Sequence, residues 1–208
     1  MADSKDYRQR AAETKRDRTR KALLMAARQL LEEVSWDDIR FDDIAERARV
    51  SPATAYQYFK NKRAIVGPAL EPFFIDMRTR LESDMEQMPA LQALEKLVHN
   101  LSSFTRKKQT LTANLLAATR EQAIRGEGRL GEEPDILEFV PFSSLMIGCL
   151  KGAQDAGEIC TSLRVDQIGN YHVNALFLRI FVDREETAED TANLVLSQIR
   201  PVLAQLSE

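Results

Sequence analysis

Two apolar stripes at helical spacing, separated by a turn and a restart signal, lie between Phe41 and Arg63, and they restrict the local fold more than any other part of the chain. Phe41, Ile44, Ala45 and Ala48 fall at i, i+3, i+4 and i+7, one face of a helix two turns long. Arg49 and Val50 break the pattern, and Ser51-Pro52 restarts it. A serine hydroxyl accepts an N–H at the N-cap, and proline at the first helical position gives up a donor that would have no partner there. The second helix then turns Ala55 and Phe59 inward and presents Pro52, Ala53, Thr54, Tyr56, Gln57 and Tyr58 on its other face. Such a face, with small, hydroxyl and amide groups and little charge, can enter a DNA major groove without bulk or carboxylate repulsion. The segment is predicted to be a helix-turn-helix.

Upstream, Thr19 to Val34 is a long amphipathic pattern, with Leu23, Ala27, Leu30 and Val34 on one stripe and Leu24 and Leu31 beside it. Packed across the two motif helices, it completes a three-helix DNA-binding domain over residues 19–65. Residues 1–18 carry Lys5, Arg8, Arg10, Lys15, Arg16 and Arg18 with almost nothing apolar, which predicts a basic flexible arm. Such an arm either follows a phosphate backbone or is a solvated tail, since Asp3, Asp6, Glu13 and Asp17 dilute its charge. Residues 1–65 hold 15 Lys/Arg against 11 Asp/Glu, whereas the rest of the chain holds 14 against 21. The acidic net charge of −3 therefore does not argue against nucleic acid, because only the contacting face must be positive. Asp42 and Asp43 fit the N-terminal dipole of the first motif helix.

At Ile44-Ala45, Val50-Ser51, Thr54-Ala55-Tyr56-Gln57-Tyr58-Phe59 and Lys60-Asn61-Lys62 the sequence resembles the TetR family of bacterial transcriptional repressors. The likeness runs from about Thr19 to Ile65. It implies that Thr54, Tyr56, Tyr58 and Lys62 touch the DNA backbone, with Tyr56 also near bases, and that Pro52, Ala53 and Gln57 read bases. Arg40 and Lys60 complete the expected DNA-binding set. Three positions depart from the family pattern: Ser35 stands for a common Gly, Arg40 for a common N-cap Thr, and Arg49 for the usual turn Gly. Arg49 must then adopt a left-handed conformation or the turn must differ.

The remainder is predicted to be all-α: 44% of the chain is hydrophobic, with no sustained alternation and no Asn-Gly or Asp-Gly hairpin turn. Residues 66–208 form a larger C-terminal domain. Lys62 to about Gln87 reads as a helix joining it to the DNA-binding head, with Pro68 and Pro72 predicting a kink or break between residues 67 and 72. Helices follow over Pro89–Arg106, Gln109–Arg125, Pro134–Ala156 with a bend at Pro141 and a stop at Gly157, Val165–Val182 and Ala188–Leu206. Gly126 to Gly131 matches G-x-G-x-x-G, yet it follows a helix and precedes Glu132-Glu133, so a loop is expected and not a dinucleotide site. Cys149 and Cys160 fit neither a zinc site nor a disulfide framework and are expected to be reduced. No segment suits a bilayer or a signal peptide, and a cytoplasmic protein is expected. No catalytic, metal or cofactor motif is present around the two histidines, which leaves an all-α enzyme and a constitutive DNA-binding protein as the alternatives to a ligand-responsive regulator.

The resemblance further implies a small-molecule effector in the C-terminal domain, released operator DNA on effector binding, and a homodimer through the last two helices. Polar or adaptable groups set among apolar helix positions supply the candidate ligand residues: His99, Ser103, Asn114, Arg120, Met146, Tyr171, His172 and Asn174. The Phe- and Met-bearing helices around residues 73–146 favour an apolar or aromatic effector. The closing helices carry more apolar surface than one small body hides, with Tyr171, Leu178 and Val182 on one and Val195, Ile199 and Leu203 on the other. A two-fold dimer also suits an operator, since one head contacts too few base pairs to be selective.

Overall fold

The computed structural model describes residues 2–125, Ile136 and 140–204. Among these residues it is all-helical: α1 (Ala2–Glu33), α2 (Phe41–Arg47), α3 (Pro52–Tyr56), α4 (Lys62–Glu86), α5 (Ala90–Lys107), α6 (Gln109–Arg125), α7 (Phe142–Asp155), α8 (Val165–Val182) and α9 (Ala188–Ala204). The Gly126–Gly131 segment lies outside the described residues, as does Leu206. No described helix is long and apolar enough to cross a membrane.

Three expectations about the helices change. The arm is not irregular: α1 begins at Ala2, and residues 2–18 contain no Gly or Pro while being rich in Ala, Arg, Lys, Glu and Gln, the residues with the best intrinsic helix propensity. α4 runs unbroken from Lys62 to Glu86 with Pro68 and Pro72 inside it, so the expected break does not occur. Each proline removes one i to i−4 bond, but the buried stripe Ile65, Val66, Ala69 and Leu70 holds the surrounding turns in place. Pro141 likewise does not bend a helix; it is the N-cap of α7. At the other end of α7, Gly157 takes φ +71° just past the C-cap Ala156, a conformation that glycine adopts at no steric cost.

The chain groups into two compact units, Met1–Pro72 with Ala113–Phe139, and Phe73–Thr112 with Val140–Glu208. The head unit therefore contains most of α6 in addition to residues 19–65. Polar anchors explain this. Asn114 on α6 accepts from the Trp36 N–H at 2.8 Å and donates to the Leu31 and Val34 carbonyls at 2.9 and 2.7 Å, so it caps the C-terminal end of α1. Glu121, two turns later, accepts from Trp36 Nε1 at 2.8 Å and pairs with Arg63 at 3.0 Å. Leu23, Ala27, Leu30, Leu31, Ile44, Ala45, Ala55 and Ile65 are all buried in this unit, as their spacing predicts.

In the body unit α5 packs against α7 and α9, and α7 against α8. Phe74, Phe104, Phe142 and Phe177 form a continuous aromatic cluster, with ring centroids 5.3 Å apart for Phe74–Phe142 and 5.1 Å for Phe142–Phe177. Gly169 lets α8 lie close on α7: a Cβ there would sit 2.8 Å from Ile147 Cγ1. Glu186, with a side chain only 10% exposed, pairs with Arg106 and Arg179 and accepts from Thr191 Oγ1 at 2.8 Å. The Arg179 hydrogen bond, then Thr191 and the two guanidinium charges, hold its carboxyl below the usual carboxylate range.

Candidate DNA-reading surface and body groove

The helix-turn-helix forms as its sequence signals dictate. Arg40 takes the N-cap of α2 with an extended backbone, and because a guanidinium cannot accept, the cap is completed from the other side: Asp43 accepts the Arg40 N–H at 2.9 Å. Arg49 adopts φ 57°, the left-handed alternative of the two open at the turn, and Val50 N–H closes onto the Ala45 carbonyl at 3.0 Å. Ser51 Oγ accepts the Thr54 N–H at 3.2 Å and lies 2.8 Å from Thr54 Oγ1, so the expected N-cap is present. Ala55 and Phe59 are buried, and Arg20 stacks over the Phe59 ring. Behind α3, Tyr56 packs its ring 4.7 Å from Phe41 while remaining 53% exposed.

The predicted DNA-binding residues divide on this scaffold. Arg40, Pro52, Ala53, Tyr56, Gln57 and Lys60 are exposed, and Thr54 and Tyr58 are half-buried at the same surface. Lys62 is different. Its ammonium donates to the Trp36 and Ile39 carbonyls at 2.7 and 3.0 Å and sits 4.2 Å from the Trp36 ring centroid. These contacts turn it inward, where it ties the α1–α2 loop to the start of α4 and does not project as a phosphate ligand. A groove of about 920 Å³ adjoins the motif, lined by Arg10, Thr14, Lys15 and Arg18 of α1 and by Ala48 and Val50 of the turn.

The eight predicted ligand residues do not converge. Asn114 and Arg120 belong to the head unit, the first as the α1 cap already described and the second exposed. His172 is buried with Nδ1 2.8 Å from the Ile168 carbonyl, a satisfied helix contact, and Met146 is core. Tyr171 and Asn174 lie on the exposed face of α8, and His99 stands 3.8 Å from Glu189 of α9. Ser103 alone of the eight lines the groove between α4 and α5, which has a volume of about 450 Å³. The sequence reading missed the rest of that groove. Its signal was nevertheless present, because Lys96, Asn100, Ser103 and Lys107 recur at i, i+4, i+7 and i+11, a polar stripe on one face of α5.

The sequence model for bacterial regulatory proteins of the tetR family matches residues 23–67, the segment whose buried anchors and exposed α3 face have just been described. Over 89% of its length the chain is 28% identical to YdeS of Bacillus subtilis (strain 168), an uncharacterized HTH-type transcriptional regulator, of which the match covers 90%.

Residues 23–67 are similar to the TetR-family DNA-binding segment.

A second relative, the HTH-type transcriptional regulator EthR of Mycolicibacterium smegmatis, is 32% identical over 81 residues, 39% of this chain and 37% of that one. In fold, the chain resembles Thermus thermophilus FadR, a TetR-family transcriptional repressor crystallised with lauroyl-CoA, at a TM-score of 0.68 and 19% identity, covering 91% of this chain and 96% of the other. The protein is accordingly a transcriptional regulator and not an enzyme, with an N-terminal helix-turn-helix domain and a larger helical C-terminal domain.

Proposed function

We propose that this protein is a TetR-family repressor that binds a palindromic operator as a homodimer and is released by a small-molecule effector. The observation that carries the reading is the exposed face of α3: Pro52, Ala53, Tyr56 and Gln57 stand out from a helix anchored by buried Ala55 and Phe59. Gln57 suits bidentate recognition of a base edge, and Arg40, Lys60, Tyr56 and Thr54 suit phosphate contacts that set register. The basic stripe Arg10, Lys15 and Arg18 along α1 extends the same positive surface past the motif.

Dimerisation is supported by α8, whose outer face carries Tyr171, Leu178, Phe181 and Val182 at 66, 52, 53 and 70% exposure. A contiguous apolar stripe of this kind on a soluble helix is a contact surface. Val195 and Leu203 of α9, only 2 and 8% exposed, belong instead to the protomer's own core, so α8 supplies most of the apolar seam. An effector is supported by the body groove and by the lauroyl-CoA bound to the similarly folded FadR.

A footprint of the purified protein on the DNA upstream of its own gene tests the reading. Two protected segments about 34 Å apart along the duplex are expected, one per head. Light scattering should give a dimer that Leu178→Glu converts to monomer, since the substitution places an unpaired charge in the seam. No protection above random DNA, or a monomeric wild type at micromolar concentration, overturns it.

A further inference from the structure

We infer that the groove between α1 and the α2–α3 turn is a seat for one sugar–phosphate strand of duplex DNA, held by Lys15 and Arg18 from α1 and by Arg49 from the turn. The inference rests on the DNA-binding part of the function proposed above and adds a contact outside the face of α3. The groove, about 920 Å³, belongs wholly to the head unit. Val50 on its wall is joined through the N-cap Ser51 to Pro52, the first residue of α3, so a duplex that takes α3 in its major groove passes beside it.

The lining chooses between occupants. Its apolar groups are Ala11, Ala22, Ala48 and Val50, all short, against which a small apolar molecule buries little surface. Its charged groups are basic, and the described lining residues include no carboxylate. α1 sorts its charges to give this result. Ala11, Lys15, Arg18 and Ala22 recur at i, i+4, i+7 and i+11 on one helical face, whereas Glu13 and Asp17 fall on the far side. The Thr14 and Thr19 hydroxyls donate back to the Arg10 and Lys15 carbonyls at 2.8 and 3.1 Å, which leaves the exposed Lys15 and Arg18 as donors to an anion. The form of α1 then fixes the kind of contact. It is helical from Ala2, and a helix about 10–12 Å across does not fit a minor groove about 6 Å wide. The contact is therefore to phosphates and carries no sequence preference. Arg49 supplies an independent observation from the opposite wall. It is exposed between the lining residues Ala48 and Val50 and holds φ 57°, a left-handed conformation that is costly for a residue with a side chain and that glycine would adopt freely. A cation at this strained position is accounted for by a phosphate within its reach.

Fluorescence-anisotropy titrations of the full-length protein at several salt concentrations test the seat, using the footprinted operator and a random duplex of equal length. Lys15→Gln with Arg18→Gln should lower the log–log salt slope by about 1.8 on both duplexes, about 0.9 for each lost phosphate contact, and keep the operator-to-random affinity ratio within about twofold of wild type. Arg49→Gly should lower the slope by about 0.9 while its thermal midpoint stays at or above that of wild type, because the strain is relieved as the contact is lost. Asp17→Asn changes the net charge by as much as Arg18→Gln does, but on the far face, and should leave affinity within about twofold. Unchanged slopes in the groove variants overturn the seat. So does a gain in Asp17→Asn equal to the loss in Arg18→Gln, which would mean general charge attraction. An Arg49→Gly protein with an unchanged slope and a lowered midpoint overturns the role given to Arg49. Binding of random DNA without operator preference would sink the repressor reading alone, since the slope on the random duplex still reads the groove; no binding to either duplex sinks both.

Discussion

At the scale of single residues, two neighbouring lysines that look alike in sequence have separate tasks. Lys60 is exposed beside α3, whereas Lys62 is committed to two carbonyls and the Trp36 ring. Lys60→Ala is therefore expected to reduce the salt dependence of operator binding by about 0.9 in log–log slope, the value for one phosphate contact, with little change in melting temperature. Lys62→Ala should do the reverse, lowering stability by about 1–3 kcal/mol because two carbonyls lose a charged donor. Gel-shift titrations at several salt concentrations and a thermal melt separate them; equal slopes for Lys60→Ala and wild type would remove Lys60 from the DNA surface. The two cysteines diverge in the same way. Burial pushes the Cys149 thiol up to about 11, while the Ser162 hydroxyl and N–H hold the Cys160 thiol below its ordinary value. Thiolate is the reactive form, so alkylation of the native protein at neutral pH should modify Cys160 and spare Cys149, as mass spectrometry of digests can show.

At the scale of elements, close approach and buried charge hold the body together. Gly169→Ala would push α8 off α7, since the new methyl meets Ile147 next to its backbone, and a loss of about 1–3 kcal/mol is expected in chemical denaturation. Glu186 joins α5, α8 and the loop between α8 and α9 through Arg106 and Arg179. Its depressed folded-state pKa contributes stability that is fully present above the unfolded value of about 4.3 and is lost as pH falls through the folded one. The stability gap between wild type and Glu186→Gln should thus be constant from neutrality down to about pH 5 and close below about pH 4; a gap that persists undiminished at pH 2 would show that packing, not charge, is responsible. The elements themselves were largely legible. Period-3.6 stripes locate α5, α6, α8 and α9, and the Ser51-Pro52 cap locates α3, because each rests on local chemistry. What was not legible depends on distant partners. Asn114 looks like any polar residue on an apolar helix until the carbonyls of Leu31 and Val34 are in place around it. His172 reads as a ligand candidate until its contact with Ile168 is known. Pro68 and Pro72 signal a break that the buried side of α4 overrides.

At the scale of the whole molecule, the two units are not consecutive stretches of chain. α4 begins in the head unit and ends in the body unit, and α6 does the opposite, so the backbone passes from one unit to the other along two helices. Lys108, at the mouth of the body groove, immediately precedes α6, and Phe73, on its floor, immediately follows the head portion of α4. A fragment ending at Pro72 keeps every residue of the helix-turn-helix yet lacks Asn114 and Glu121, leaving the end of α1 uncapped and Arg63 without Glu121. Such a fragment is expected to melt without a cooperative transition by circular dichroism, and a sharp transition within a few degrees of the full-length protein would show that α6 is dispensable to the head. The interleaving also bears on descent. A DNA-reading module stored as one uninterrupted run of codons can be exchanged between regulators by a single crossover, but here such an exchange would deliver a new α1 to an old α6. Unless Asn114 and Glu121 or their equivalents meet the incoming helices, a hybrid gene would encode an ill-fitting seam, so new operator preferences in this lineage are more readily reached by point substitution on α3 than by shuffling whole heads.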